Sequence, residues 1–262
     1  MRAEQLHWSE GGGWHWGESV HDADLVLYFG TRRGLADGTR YGELRAMFPG
    51  AHMLGCTGGQ ISGIDLGDEE IAAVAMRFCS TRLELVCEEV PSLEHSRGCG
   101  ESIGRKLMAD GLAGVFVLCD GLRVNGGNLV AGMTAVTGHA IPVTGGLAGD
   151  GAAFQETLVS ADCAPRTQIV GAIGFYGEDI RIGHGMAGGW DGFGPRRRVT
   201  RSRGNVVLEL DGQPALDLYE RYLEDDEIEG LPFTALRFSA ADSGPATPQP
   251  RGHSDGRRHR PR

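Results

Sequence analysis

Two Thr-Gly-Gly triplets carry the clearest chemical potential in this 262-residue chain: Thr57-Gly58-Gly59 and Thr144-Gly145-Gly146, 87 positions apart. Consecutive glycines after a strand let the backbone turn with several N–H groups pointing one way, a nest that holds a carboxylate or phosphate. Thr57 and Thr144 add hydroxyl donors. The same glycines also serve a tight bend or close packing between chain segments, which needs no ligand. Asp150, in Gly149-Asp150-Gly151, is suited to pair with a ligand amine or to close a plain turn. Trp190, beside Gly188-Gly189, offers one wall of a pocket, or else a core or lid side chain. The expected ligand-binding set is therefore Cys56, Thr57, Gly58, Gly59, Thr144, Gly145, Gly146, Asp150 and Trp190.

Cys56 has a second reading. It stands directly after a strand, in Gly55-Cys56-Thr57, and a nucleophile at a strand–turn junction is a known enzyme device. His52 or His139 would then supply the base. The second copy of the pattern has Val143 where the first has Cys56, which favours a buried structural thiol. The stretch Gly183-His-Gly185-Met-Ala-Gly188 fits GxGxxG, but Gly189-Trp190-Asp191-Gly192 follows, and no helix opens there as a dinucleotide site requires. Neither HExxH nor CxxC occurs among the nine histidines and six cysteines, so no metal and no cofactor are expected. His184 between two glycines and the run Arg196-Arg197-Arg198 read as exposed turns. No catalytic set emerges, and a non-enzymatic binding module is the expectation.

Composition narrows the class. A net charge of −10 argues against a general nucleic-acid binder, which needs a basic face. No apolar stretch approaches the length of a membrane span. No charged and apolar leader is evident at the N-terminus, and unpaired cysteines within apolar runs, as in Val117-Leu118-Cys119, fit a reducing cytoplasm. Forty-three glycines without a collagen-like period must serve turns and close approaches.

The elements that would position these residues come in two similar series. Asp24–Phe29 is a short apolar run that predicts a buried strand. Helical spacing follows through Tyr41, Leu44 and Phe48, stopped by Pro49-Gly50. A strand over Ala51–Cys56 then enters the first triplet, and Ile71–Phe78 and Leu83–Cys87 predict third and fourth strands. The second series has a strand at Gly114–Cys119, a helix at Asn128–Thr137, a strand from Ala140 into the second triplet, a strand at Ile169–Phe175 and another beginning at Ile180. An extra helix, Glu101–Ala109, precedes it. Asn205–Leu210 predicts a strand, Asp211-Gly212 a turn, and Pro214 the start of a helix with Ala215, Leu218, Tyr219 and Tyr222 on one face.

One helix layer covers one face of each sheet, so the other faces must bury each other. The expected fold is α/β: two duplicated strand–helix–strand–strand units in a layered helix–sheet–sheet–helix sandwich. Repeat one spans about 22–90, repeat two about 112–200, and a closing strand and helix 205–224. Residues 1–21, with Trp14-His15-Trp16 beside a triple glycine, read as an irregular start. Residues 239–262 hold five Arg and four Pro and no large apolar side chain, which predicts a disordered basic tail, readable as a frameshifted or read-through end.

The ordered series Asp24–Phe29, Phe48-Pro49-Gly50, Leu54–Gly59, Ile141–Asp150, Gly188-Gly189-Trp190, Val199-Thr200, Gly204-Asn205 and Leu210–Ala215 resembles the N-terminal half of the FIST domain over about residues 22–231. The resemblance implies a sensory module that binds a small ligand such as an amino acid. It also implies an output partner such as a histidine kinase or cyclase; the charge and the lack of a long apolar stretch are the grounds for expecting no nucleic acid and no membrane. A C-terminal FIST half would normally follow, and its place is taken by the Arg/Pro tail, which also makes an interaction module or a truncated remnant a reading of this chain.

Overall fold

The structure, a computed structural model, describes residues 1–17, 19–58, 71–151, 153–183, 185, 195–231 and 235. Gly59, His184, Trp190 and the tail from 239 onward lie outside the described residues. The chain divides into two compact units, 1–186 and 187–262, each taken by itself.

The first unit runs β1 (Arg2–Ser9), β2 (Gly13–His15), β3 (Leu25–Gly30), α1 (Arg32–Leu35), α2 (Thr39–Met47), β4 (His52–Thr57), β5 (Ile71–Arg77), β6 (Arg82–Glu89), α3 (Ser96–Leu107), β7 (Leu112–Cys119), α4 (Gly126–Thr137), β8 (Val143–Leu147), β9 (Val159–Ala161) and β10 (Ile169–Tyr176). One sheet has the order β2-β1-β5-β3-β4-β9 and the other β6-β10-β7-β8. β3 runs parallel to β4, and β7 to β8; each pair is joined across a helix, and the remaining neighbours are antiparallel.

Alternation along the strands divides their side chains between two layers. Leu25, Leu54 and Cys56 of the first sheet meet Leu118, Ile169 and Ile173 of the second in a shared inner core. Val26, Tyr28 and Met53 face outward onto Leu35 of α1 and Leu44 of α2. On the other side Val115, Val117, Val170 and Ala172 lie under Ile103 and Leu107 of α3 and Leu129 and Met133 of α4. The arrangement is the expected helix–sheet–sheet–helix sandwich.

Two expectations are corrected. The N-terminal segment is not irregular. β1 and β2 form a hairpin through Gly11 and Gly13, both at positive φ, and β1 pairs with β5 along seven residues. Its tryptophans lack strand periodicity because they serve α2: Trp8 lies under the Arg40 guanidinium at 4.3 Å, and Trp14 Nε1 donates to Glu43 at 2.7 Å. Second, the strand at 82–89 does not close the first sheet. It pairs with β10, so the order β6-β10-β7-β8 matches β1-β5-β3-β4 strand for strand, and no strand forms at 180–183. Four strands in matching order therefore occupy residues 2–77 and 82–176, in place of repeats at about 22–90 and 112–200. β9 follows β8 in sequence yet pairs with β4 of the opposite sheet, which ties the two layers together.

In the second unit, β11 (Val199–Arg203), β12 (Val206–Leu210) and β13 (Gln213–Pro214) form a small antiparallel sheet, followed by α5 (Ala215–Glu220) and α6 (Asp225–Glu229). Asp211 and Gly212 both have positive φ, the conformation a two-residue hairpin turn demands. Asp211 accepts hydrogen bonds from the Arg198 amide and the Arg197 guanidinium, so part of the arginine run is an anchor for this turn.

Candidate functional site

Parallel strands end at one side of a sheet, and the loops leaving their carboxyl ends build most ligand sites of such folds. Here the carboxyl ends of β4, β7 and β8 come together. The Thr57 carbonyl at the end of β4 accepts a hydrogen bond from Gly149, just past β8, at 2.9 Å. Ala148, between β8 and Gly149, donates to the Cys119 carbonyl at the end of β7 at 2.8 Å.

Asp120 organises this convergence. It directly follows β7 and is 1% exposed. Its Oδ1 accepts from the amides of Leu122 (2.9 Å) and Arg123 (3.1 Å) and from the Thr157 hydroxyl (2.6 Å); Oδ2 accepts from the Gln168 amide (2.7 Å). Thr157 Oγ1 in turn accepts from Gly121 at 3.1 Å. Three separate segments thus meet on one carboxylate. Gly121 is required beside it, because a Cβ there would stand 2.0 Å from the Ala148 carbonyl oxygen.

A polar cleft of about 200 Å³ opens over this hub, lined by Asp120, Leu122, Arg123, Gln155, Glu156, Thr157, Thr167 and Gln168. Arg123 supplies a cation and Glu156 an anion; Glu156 also lies 3.8 Å from Arg32 at the start of α1. Such a pair can receive a carboxylate and an ammonium on one small molecule. Among the described residues no group of three His, Cys, Asp or Glu side chains gathers to hold a metal ion.

Among the described residues, none of those expected from sequence lines this cleft; Thr57, Gly58 and Asp150 support the segments beside it. Thr57 is fully buried. Its hydroxyl accepts from the Leu158 amide at 3.0 Å, and its own amide donates to the Leu158 carbonyl at 2.9 Å, so it clips the 148–158 segment to β4. Gly58 donates to the Gly30 carbonyl at 2.9 Å. Asp150 accepts from the amides of Phe154, Gln155 and Glu156 at 2.6–3.0 Å. Those bonds hold its carboxyl below the usual range against the opposing effect of burial. Asp150 therefore shapes the loop that presents Gln155 and Glu156.

The second triplet is not a turn. Thr144, Gly145 and Gly146 lie within β8, paired with Phe116, Val117 and Leu118. By register Gly145 stands opposite Val117 as Gly55 stands opposite Tyr28. At both positions a Cβ would strike the neighbouring strand, at 1.8 Å from the Val117 carbonyl oxygen and 2.6 Å from that of Tyr28. Close strand packing accounts for these glycines, and the matching position for Thr57 is Leu147.

Cys56 does not have the setting of a nucleophile. It is 6% exposed in the inner core, and burial pushes its thiol up to about 12. His52 lies four residues back on the same strand, about 13 Å away at strand rise, and is bound to Asp162 at 2.7 Å. His139 stands in the exposed turn before β8. Iodoacetamide at neutral pH is expected to modify the exposed Cys79 and to leave Cys56 untouched until the chain is unfolded, read by peptide mapping. Labelling of Cys56 at the rate of Cys79 would contradict its burial.

Sequence reading missed Asp120, Arg123, Glu156, Thr157 and Gln168. The available signal was Asp120-Gly121, a turn dipeptide directly after the apolar run Gly114–Cys119. Nothing local pointed to Thr157 or Gln168.

Over 104 residues, 37% of this chain, the sequence is 37% identical to an uncharacterized protein of Methanocaldococcus jannaschii, and the chain covers 18% of that relative's length. No described helix is long and apolar enough to cross a membrane. The family model of the FIST N domain matches residues 24–213, most of the chain; the protein belongs to the FIST N domain family, which is associated with sensing and signal transduction.

Proposed function

We propose that this chain is a non-enzymatic cytoplasmic sensory domain whose ligand is an amino acid or a small carboxylate, seated in the cleft over Asp120. The observation that carries the reading is the presence of Arg123 and Glu156 on the lining of one small polar cleft at the carboxyl ends of β7 and β8. A guanidinium binds a carboxylate in bidentate fashion, and a carboxylate on the same lining suits an ammonium group. A volume near 200 Å³ suits a metabolite smaller than a drug-sized molecule. Ligand binding would shift the 153–158 segment, which leads directly into β9 and so into the opposite sheet; an output protein such as a histidine kinase or cyclase would read that change. The matched strand orders of the two sheets support an internal duplication as the origin of the fold.

A thermal-shift screen of amino acids and small mono- and dicarboxylates tests the reading. A ligand at one hundred times its Kd contributes about 2.7 kcal/mol, which in a domain of this size raises Tm by roughly 5–10 °C. Arg123→Ala is expected to weaken the binding of the active compound at least tenfold, and Glu156→Gln to do so for amino acids but not for simple carboxylates. Silence across the panel at millimolar concentration, or an unchanged shift in Arg123→Ala, would overturn the proposal and favour an interaction module instead.

A further inference from the structure

The polar cleft over Asp120 does not end at its own lining. Thr167 and Gln168 line both it and a second cleft of about 420 Å³, whose other walls are Glu89, Val90, Pro91 and Arg166. The two clefts therefore adjoin at Thr167 and Gln168 and make one groove. Each holds one guanidinium, Arg123 in the first and Arg166 in the second.

The junction is anchored on both sides. The amide and the carbonyl of Arg166 are both bonded to Val159, at 2.9 Å each. The Gln168 amide donates to Asp120 at 2.7 Å, and the Gln168 carbonyl accepts from the Val90 amide at 2.7 Å. Thr167 lies between these anchors and is half-buried. Among the described residues, none forms a hydrogen bond to its amide, its carbonyl or its hydroxyl. A backbone N–H and C=O left open between fixed neighbours can pair with the backbone of an extended ligand. Their anchored neighbours spare the cost of ordering them on binding.

The second cleft offers a cation to the far end of such a ligand. The Arg166 guanidinium meets Glu89 at 2.8 Å, but the two side chains are 49% and 72% exposed, and an ion pair so open to water is weak. A ligand carboxylate can share that guanidinium or displace Glu89 from it.

A free amino acid engages Arg123 and Glu156 and leaves Thr167 and the second cleft unused. An α-linked dipeptide carries its free ammonium and its free carboxylate on different residues, so it cannot give both to the first cleft. An amino acid that is extended through its side chain can. We propose that the ligand is an amino acid of the γ-glutamyl dipeptide class, an inference that rests on the seating of an amino-acid head over Asp120. The α-carboxylate meets Arg123 and the α-ammonium meets Glu156. The N–H of the second residue donates to the Thr167 carbonyl. The carboxylate of that residue accepts from the Thr167 amide and from Arg166. This is the residue-to-residue pairing of an antiparallel ladder.

Isothermal titration of the full chain with γ-Glu-Gly, Glu-Gly and L-glutamate is the test. γ-Glu-Gly is expected to bind about tenfold tighter than either of the others. Arg166→Gln is expected to lower the affinity for γ-Glu-Gly to that for L-glutamate and to leave L-glutamate unchanged. Hydrogen exchange at the Thr167 amide is expected to slow with saturating γ-Glu-Gly and to stay the same with L-glutamate. The exchange measurement and the three-ligand comparison use wild-type protein, so a variant that fails to fold does not remove the test. L-glutamate binding with γ-Glu-Gly no tighter, Glu-Gly binding as tightly as γ-Glu-Gly, or a Thr167 amide left unprotected would overturn the inference and leave the amino-acid reading of the first cleft standing. Failure of all three compounds at millimolar concentration would overturn it as well, and a shift from another member of the thermal-shift panel would then preserve the reading of the first cleft.

Discussion

Asp120→Ala is expected to lower the unfolding free energy by about 3–5 kcal/mol. Asp120 carries four hydrogen bonds from three chain segments and sits where water does not reach. Removing the carboxylate leaves the amides of Leu122, Arg123 and Gln168 and the Thr157 hydroxyl without their acceptor, and each buried donor left unpaired costs about 1–3 kcal/mol before relaxation. Asp120→Asn separates the contributions. Its carbonyl oxygen can still receive the three donors on Oδ1, but its amide nitrogen faces the Gln168 N–H, donor against donor. The expected loss is then roughly 1–3 kcal/mol. Urea denaturation measures both through the midpoint at constant slope. A loss below 1 kcal/mol for Asp120→Ala would contradict the role of Asp120 as the hub of the cleft. Because Arg123, Thr157 and Gln168 line the cleft, Asp120→Asn is also expected to reduce the thermal shift of any ligand found for the wild type.

The helix layer over the second sheet makes a prediction of similar size, with its own control. α3 and α4 approach until their backbones touch. A Cβ at Gly132 would stand 2.1 Å from the Arg97 carbonyl oxygen, and one at Gly100 would stand 2.1 Å from that of Leu129. An alanine in an exposed helix interior stabilises by about 1 kcal/mol relative to glycine. At Gly132 that gain is overwhelmed, because the atom encountered is backbone and the helices must separate. Gly132→Ala is expected to cost roughly 2–4 kcal/mol net. Gly98, in the same helix α3, meets nothing within 4 Å of a built Cβ. Gly98→Ala should therefore stabilise by about 0.5–1 kcal/mol. Opposite signs for two Gly→Ala changes in one helix pair are read by thermal or urea unfolding. If both stabilise, the helices are not in backbone contact.

Much of the fold was legible because strands and helices write local periods. The run from Gly114 to Cys119 reads as a strand, and β7 contains it, beginning two residues earlier at Leu112. The spacing of Leu129 and Met133 predicts a helix, and Asn125 caps α4 by accepting the Asn128 amide at 3.0 Å. Asp211-Gly212 states its turn in two residues. The layered sandwich follows from one helix layer per sheet. The hairpin of β1 and β2 was illegible because its tryptophans obey the surface of α2 and not their own strand, and Leu6 is the one fully buried side chain along β1.

The site shows the same division. From sequence, Thr57 and Gly58 stand out as a threonine and a glycine at the end of a strand, and Asp150 as an aspartate between two glycines. Sequence could not assign their partners. Thr57 bonds to Leu158, 101 residues away, and Asp120 to Gln168, 48 residues away; both pairings exist because three strand ends converge. The two Thr-Gly-Gly triplets look equivalent as letters, yet register places one at a strand end and the other inside an edge strand. Strand register is set by which faces are buried across the whole sheet, so only the tertiary structure could decide that one triplet clips a loop while the glycines of the other let two strands approach.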